Sequence, residues 1–361
     1  MGTLFEYIDW RGDISFDTVG VGEVDNMIFS QICYIDFKRI VPASPTAKPV
    51  GFVSATKRYV NAHKGEPINL GAIMPADVVN IATKAARSQR FAQTSVIAYV
   101  NKISDVDEKQ FSAITFLIGE ESCFVAFRGT DDTIVGWKES LNMSFMCPIP
   151  AQTEAVEYLE KIAEAFPDRR IYVGGHSKGG NLAVYAAVKC SEQTNERIAA
   201  VYNNDGPGFN REFIESEEYA RTRERIHTLV PQTSIVGMLL EHEENYDVVQ
   251  SSMNGLLQHN AFSWDVMGGR FTRKDAVTEE SRRIDAGLKA WLDEMTMEER
   301  RDVVDSLYEI LSSTNAKTLT DLNTDRLKLI KAWTELDPLS KKYVKRCVTL
   351  IAKNTKKQQK D

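Results

Sequence analysis

The sequence predicts an α/β fold: a mainly parallel sheet covered by helices, followed by an all-helical C-terminal extension. Three observations predict it. Short apolar runs rich in β-branched and aromatic residues alternate with helical patterns from about residue 113 to residue 230. Loops rich in glycine, asparagine and aspartate stand at the ends of those runs. From about residue 275 strand signals stop, and no glycine follows Gly287. At 361 residues the chain suits one large α/β unit with an appendage. The expected division is 1–274, mostly helical to 105 and sheet-forming from 106, then a helical part at 275–361.

Val24, Met27, Ile28 and Ile32 recur at helical spacing, so 23–36 is read as a core-facing helix. Pro42, Pro45, Pro49 and Pro67, with weak periodicity, make 41–74 irregular. Helical spacing returns at Val78, Val79, Ile81, Ala82 and Ala85. Ala113–Ile118 and Ser122–Phe127 flank a turn at Gly119 and read as a hairpin. An amphipathic helix (Val156, Leu159, Ile162, Phe166) then leads to a strand at 170–174 and a helix ending near Cys190. Further strands are expected at Ile198–Tyr202 and Arg225–Val230. In the tail, Thr296-Met297-Glu298-Glu299 is a capping box, and Asp337-Pro338 is a second helix start. Lys353, Lys356, Lys357 and Lys360 read as a solvated helix end. The tail helices are candidates to cap a site, to form a homo-oligomer or to touch a surface.

A net charge of −7 argues against nucleic-acid binding, which wants a basic face. Cys33, Cys123, Cys147, Cys190 and Cys347 are odd in number and scattered, as in a reducing compartment, and mark neither disulfides nor a metal site. The first residues lack a basic region and an apolar core, so no secretory signal is expected. Glu6 stands where a myristoylation signal wants serine or threonine. No apolar run reaches membrane-spanning length. A cytoplasmic protein without metal or cofactor is expected.

The chemistry centres on Gly175-His176-Ser177-Lys178-Gly179, between the strand ending at Gly174 and an alanine-rich helix. A serine on so sharp a turn needs neighbours without side chains, because the backbone passes close to itself. The Lys178 amide then opens a helix, where unpaired N–H groups receive negative charge. Ser177 is thus the expected nucleophile of an α/β-hydrolase. Its base is sought among five histidines. His176 cannot easily turn back onto the hydroxyl, His63 lies in an irregular region and His227 falls within a strand. His242, in the run Glu241-His242-Glu243-Glu244, looks like solvated surface and is the reserve. His259 fits the chain order nucleophile, acid, base. For the acid, Asp205 at the Asn204-Asp205-Gly206 turn is favoured, with Asp247 as rival. A second oxyanion donor is expected from Arg128-Gly129-Thr130, at Thr130, beside the Lys178 amide. The alternative for that stretch is a helix cap by Thr130 or Asp131.

Phe127-Arg128-Gly129-Thr130 followed downstream by Gly175-His176-Ser177-Lys178-Gly179-Gly180 resembles the class 3 lipases. Tyr7-Ile8-Asp9-Trp10-Arg11-Gly12-Asp13, Glu23-Val24-Asp25-Asn26, Asn204-Asp205-Gly206-Pro207-Gly208-Phe209 and Gln258-His259 extend the likeness to the Mbeg1-like family (DUF2974) of bacterial α/β-hydrolases. The resemblance implies a serine hydrolase acting on carboxylic or lipid-like acyl esters, including lysophospholipids, through an acyl-enzyme. A binding protein that has lost turnover, an acyltransferase and a thioesterase are the alternatives. Class 3 lipases carry their acid in a stretch that here reads Ser234-Ile235-Val236-Gly237. Asp205-Gly206-Pro207-Gly208-Phe209 instead is similar to the acid-bearing turn of pancreatic-type lipases. Lys178, where lipases usually place an apolar residue, raises the expectation of an anionic acyl substrate.

Overall fold

A computed structural model describes residues 2–65, 77–131, 133–242 and 244–312, with scattered positions beyond. Its strands are β1 (Val50–Gly51), β2 (Ser95–Ser104), β3 (Lys109–Ile118), β4 (Ser122–Phe127), β5 (Arg170–His176), β6 (Ile198–Asn204), β7 (Ile226–Pro231), β8 (Tyr246–Val249), β9 (Val266–Met267), β10 (Arg270–Phe271) and β11 (Arg273–Lys274). The helices before the sheet core are α1 (Leu4–Arg11), α2 (Glu23–Ile32), α3 (Phe52–Ala62), α4 (Asp77–Ala85) and α5 (Gln89–Ala92). Those after it begins are α6 (Ile134–Asn142), α7 (Pro150–Ala165), α8 (Lys178–Lys189), α9 (Glu192–Glu196), α10 (Arg211–Ile214), α11 (Glu217–Thr222), α12 (Glu279–Asp293) and α13 (Met297–Ser312).

β1 to β8 lie side by side in chain order, and β11 closes the outer edge of β8. Pairing is antiparallel from β1 to β4, parallel from β4 to β8 and antiparallel at β11. This is an α/β-hydrolase fold, with the expected hairpin at β3–β4. The strand period of two supplies both faces. In β4, Phe124 and Ala126 enter a core shared with α1, α2 and α4, while Cys123, Val125 and Phe127 enter the core under α7 and α8. A sheet buried on both sides explains why β4 reads as a continuous apolar run.

Three elements depart from expectation. β2 lies within the part expected to be helical. A bulge sends Ile97 and the adjacent Ala98 into the same core, which breaks the alternation that marks a strand. The helix α3 occupies part of the stretch read as irregular. Phe52, Ala55, Thr56 and Tyr59 form its buried stripe, and Pro42, Pro45 and Pro49 all precede it. β8 carries only Val248 and Val249 as buried positions, too few for an alternating signal. The expected capping box at α13 is present, with Thr296 N–H donating to Glu299 (2.8 Å) and Glu299 N–H to Thr296 Oγ1 (3.1 Å). Asp337 and Lys353, Lys356, Lys357 and Lys360 lie outside the described residues. Among the described residues no helix is long and apolar enough to cross a membrane.

The N-terminal layer is pinned in two places. Gly2 and Val266 exchange backbone hydrogen bonds of 3.0 and 2.7 Å. Deeper in, Arg90 binds both oxygens of Asp25 (2.7 and 2.6 Å) and also donates to the carbonyls of Ile14, Val19 and Gly20. Tyr7 Oη donates to the same carboxylate at 2.8 Å. Both charged side chains are almost wholly buried. Arg90→Met would leave Asp25 uncompensated, at a cost of about 3–5 kcal/mol. The expected result is a clearly lower urea midpoint; a wild-type midpoint would show that this pair contributes little.

Within the acidic run around His242, Glu241 is exposed as expected, but His242 and Glu244 are not the solvated surface expected. Glu244 is buried and accepts hydrogen bonds from Thr228 Oγ1 (2.6 Å), Tyr219 Oη and His242 Nδ1 (3.0 Å). Burial alone would raise its carboxyl. The hydrogen bond and charge of His242, with the bonds from Thr228 and Tyr219, outweigh that and hold it from an ordinary 4.5 down to about 2. The folded value lies below the unfolded one, so the stabilisation is complete above about pH 4.5 and is lost as pH falls toward 2. Glu244→Gln should flatten the fall of Tm across that window, and a Tm profile parallel to the wild type's would contradict the assignment.

Candidate active site

The strand, sharp turn and helix expected around Ser177 are present. β5 ends at His176 and α8 begins at Lys178, leaving Ser177 alone between them at φ 60°, ψ −135°. That region is strained for any residue with a side chain and persists only where surroundings enforce it. Here Ser177 N–H donates to the Asn204 carbonyl (2.9 Å), and Gly180 N–H closes back on the Ser177 carbonyl (2.8 Å). The packing allows no extra atom. A Cβ on Gly175 would lie 2.3 Å from the Gly179 carbonyl, and one on Gly129 only 2.5 Å from the His176 carbonyl oxygen.

Asp205 follows β6 at φ 51° and is buried. Its Oδ1 accepts from Ser234 Oγ (2.5 Å) and the Gly237 N–H (3.1 Å). Its Oδ2 lies 2.6 Å from Nδ1 of His259. The structure thus brings these two predicted residues together, from the end of β6 and from the 3₁₀ turn Gly255–His259. It does not bring in their rivals. Asp247 is largely exposed on β8 and pairs with Arg273 at 3.0 Å, while His242 is engaged by Glu244. His63 stacks on Tyr59, and His227 lies on an exposed position of β7 against Tyr202. Among the described residues Ser177 Oγ makes no hydrogen bond, and no bond joins it to His259.

His176 makes its bond to His259 rather than to the Ser177 hydroxyl. Its Nε2 donates to the His259 carbonyl at 2.8 Å, with ring centroids 4.5 Å apart. Burial, reinforced by the neighbouring imidazole of His259, lowers its pKa to about 3, so it stays neutral. Gln258 fixes the same turn. It accepts from the Thr233 N–H (2.7 Å) and donates to the Met253 carbonyl (2.8 Å).

The Arg128-Gly129-Thr130 loop abuts the elbow, since a Cβ on Gly129 would stand 3.2 Å from Ser177 Cβ. Arg128 closes the loop by an ion pair with Asp131 at 2.8 Å. Neither Thr130 nor Asp131 caps the next helix: Thr133 does, its Oγ1 accepting from Gly136 N–H (3.2 Å), while Asp131 steadies Thr133. Thr130 Oγ1 meets Ser140 Oγ at 2.5 Å, and Ser140 donates on to the Gly136 carbonyl. The Thr130 hydroxyl is therefore engaged. The backbone N–H groups of Thr130 and Lys178 have no partner among the described residues.

The Lys178 side chain overturns one expectation. Its Nζ is buried, bonded to Glu139 (2.8 Å) and to the carbonyl (2.8 Å) and side-chain oxygen (2.7 Å) of Gln110. A charge so paired offers nothing to an anionic substrate. It is a strut between the elbow and α6, and the charged head lies away from the hydroxyl because four methylenes carry it there.

Sequence reasoning missed Ser234, Gly237, Ser140 and the hold of His176 on His259. Ser234-Ile235-Val236-Gly237 had marked itself only as a place where an acid was absent. The loop supplies instead the donors that hold Asp205, arriving from the end of the neighbouring strand β6.

No curated protein matches the chain. Solved structures that resemble it include the Rhizomucor miehei lipase propeptide complex, at 18% identity over 45% of this chain and 58% of that one, TM-score 0.34. Lipase II from Rhizopus niveus gives 13% identity over 70% of this chain and 87% of that one, TM-score 0.40. The nonglycosylated LIP2 lipase of Yarrowia lipolytica gives 14% identity over 68% and 93%, TM-score 0.38. At such values the likeness bears on neither substrate nor mechanism. The family comparison reaches further: the Mbeg1-like model matches residues 85–309, a span holding every residue of the constellation just described, and the chain belongs to the Mbeg1-like family.

Proposed function

We propose that the chain is a cytoplasmic serine hydrolase of carboxylic esters, with Ser177 as nucleophile, His259 as base and Asp205 as its orienting acid. The observation that carries this is the Asp205–His259 contact at 2.6 Å, made by a buried carboxylate whose other oxygen is already satisfied by Ser234 and Gly237. A carboxylate on Nδ1 fixes the tautomer that leaves Nε2 free to accept a proton. Ser177 Oγ attacks the ester carbonyl while its proton passes to Nε2. The alkoxide leaves with that proton, and water repeats the sequence on the acyl-enzyme. The unpartnered N–H groups of Thr130 and Lys178 receive the oxyanion, each such donor contributing about 2.7–4 kcal/mol.

Leu256 and Leu257, both exposed two or three residues before His259, favour an ester with an apolar, lipid-like acyl group. Four described cysteines are free thiols, consistent with a reducing compartment. A binding protein without turnover is favoured by one observation, the absence among the described residues of a hydrogen bond on Ser177 Oγ. Such contacts often tighten only with substrate bound. A fluorophosphonate probe should label the wild type and leave Ser177→Ala unlabelled. Asp205→Asn should lower kcat for a p-nitrophenyl ester by about 10³–10⁴-fold. A wild type that neither labels nor turns over would favour the binding protein.

A further inference from the structure

The helices beyond the sheet grip both arms of the candidate site. α12 holds the loop that holds the acid: Thr278 N–H donates to the Gln232 carbonyl (2.7 Å), and the buried Ser281 Oγ donates to the Ser234 carbonyl (2.5 Å). Ser234 is the residue whose hydroxyl bonds Asp205. Val277, just before α12, packs with Val230, Met238 and Val248 beneath the same loop.

α13 holds the other arm. Asp305 pairs with Lys138 of α6 at 2.8 Å, and the Lys138 ammonium lies 4.5 Å from the centre of the Tyr308 ring. Arg300 donates to the Ser144 carbonyl just past α6 (2.7 Å). Two residues further along α6 from Lys138, on a different face of the helix, stands Ser140, the partner of Thr130. Arg300 also joins the two helices to each other, through bonds of 3.1 and 2.8 Å to the Leu292 carbonyl near the end of α12.

We infer that α12 and α13 form a brace that belongs to the active site, with Ser281 positioning the Asp205 side through Ser234 and Asp305 positioning the Thr130 side through α6. The inference rests on the proposed hydrolase for its kinetic consequence, not for its structural one. A helical pair bonded to both arms fixes their separation, and that separation must be held within a fraction of an ångström for the proton transfer and the oxyanion contacts to coincide.

The test uses the full chain, with amide hydrogen exchange and ester kinetics measured side by side. Ser281→Ala should speed exchange at the Gly237 N–H, lower kcat about tenfold and leave KM within about twofold, because the lost contact acts on geometry rather than on substrate. Ser281→Thr, which keeps the hydroxyl, should restore both. In a Ser234→Ala background Ser281→Ala should add little, since the two act in series. Asp305→Lys should speed exchange at 129–131 and lower kcat likewise, with Asp305→Glu restoring it. Wild-type exchange at both loops in Ser281→Ala and Asp305→Lys would overturn the brace. Faster exchange in a chain that hydrolyses no ester would uphold the brace and discard the hydrolase. Additive losses from Ser281→Ala and Ser234→Ala would overturn the route through Ser234.

Discussion

Everything at the candidate site follows from one constraint, the backbone of Ser177 at φ 60°. An L-residue stays there only when its neighbours leave no alternative. Four segments converge to enforce it: β4 and its following loop, β5, the first turn of α8, and the end of β6. Their closeness excludes side chains at Gly129 and Gly175, and it puts the Ser177 N–H on the Asn204 carbonyl. Asn204 in turn exchanges side-chain amide bonds of 2.9 and 3.0 Å with Asn26 of α2. The strained turn is thereby tied to the N-terminal helical layer across the sheet. Asp205, the next residue along, inherits its place from the same bond.

Buried charge does the remaining work of fixing distances. Lys178 with Glu139 and Arg90 with Asp25 each join elements far apart in the chain, and the buried Glu244 ties Tyr219 of α11 and Thr228 of β7 to the loop before β8. Such pairs add little net stability over apolar packing, but they tolerate few alternative arrangements once their partners are buried. Lys178 is the clearest case. Its backbone N–H has no partner among the described residues while its side chain fastens the elbow helix to α6, so one residue links the turn at Ser177 to the helix that follows the Arg128-Gly129-Thr130 loop.

Much of this was legible in the sequence, and for identifiable reasons. The β3–β4 hairpin, β5, α8, β6 and β7 announce themselves by composition because both faces of the sheet are buried. The elbow announces itself by glycine. Asp205 and His259 were expected from their chain order and from likeness to known families, and geometry supplies what neither order nor likeness contains, the contact between them. The bulged β2 and the four-residue β8 were hidden because their alternation is broken or too short. Ser234 and Ser140 were hidden because a hydroxyl that holds another side chain looks in sequence like any other serine. The direction of Lys178 was hidden because a long aliphatic stem carries its charge away from its backbone.

The backbone pairing of Gly2 with Val266 has a consequence for how the protein is made. Glu23 adds to it, accepting the Phe271 N–H at 2.6 Å and binding Arg273. A ribosome releases the N-terminal helices long before it reaches the strands that anchor them. During synthesis the apolar stripe of the first layer waits for the sheet face of β3, β4 and β6 that covers it, and the backbone pairing of Gly2 waits longer still, until β9 emerges. Loop closure over such a separation is slow compared with hairpin formation. The N-terminal segment is thus the last part of that layer to be fixed, long after the helices behind it have found the sheet.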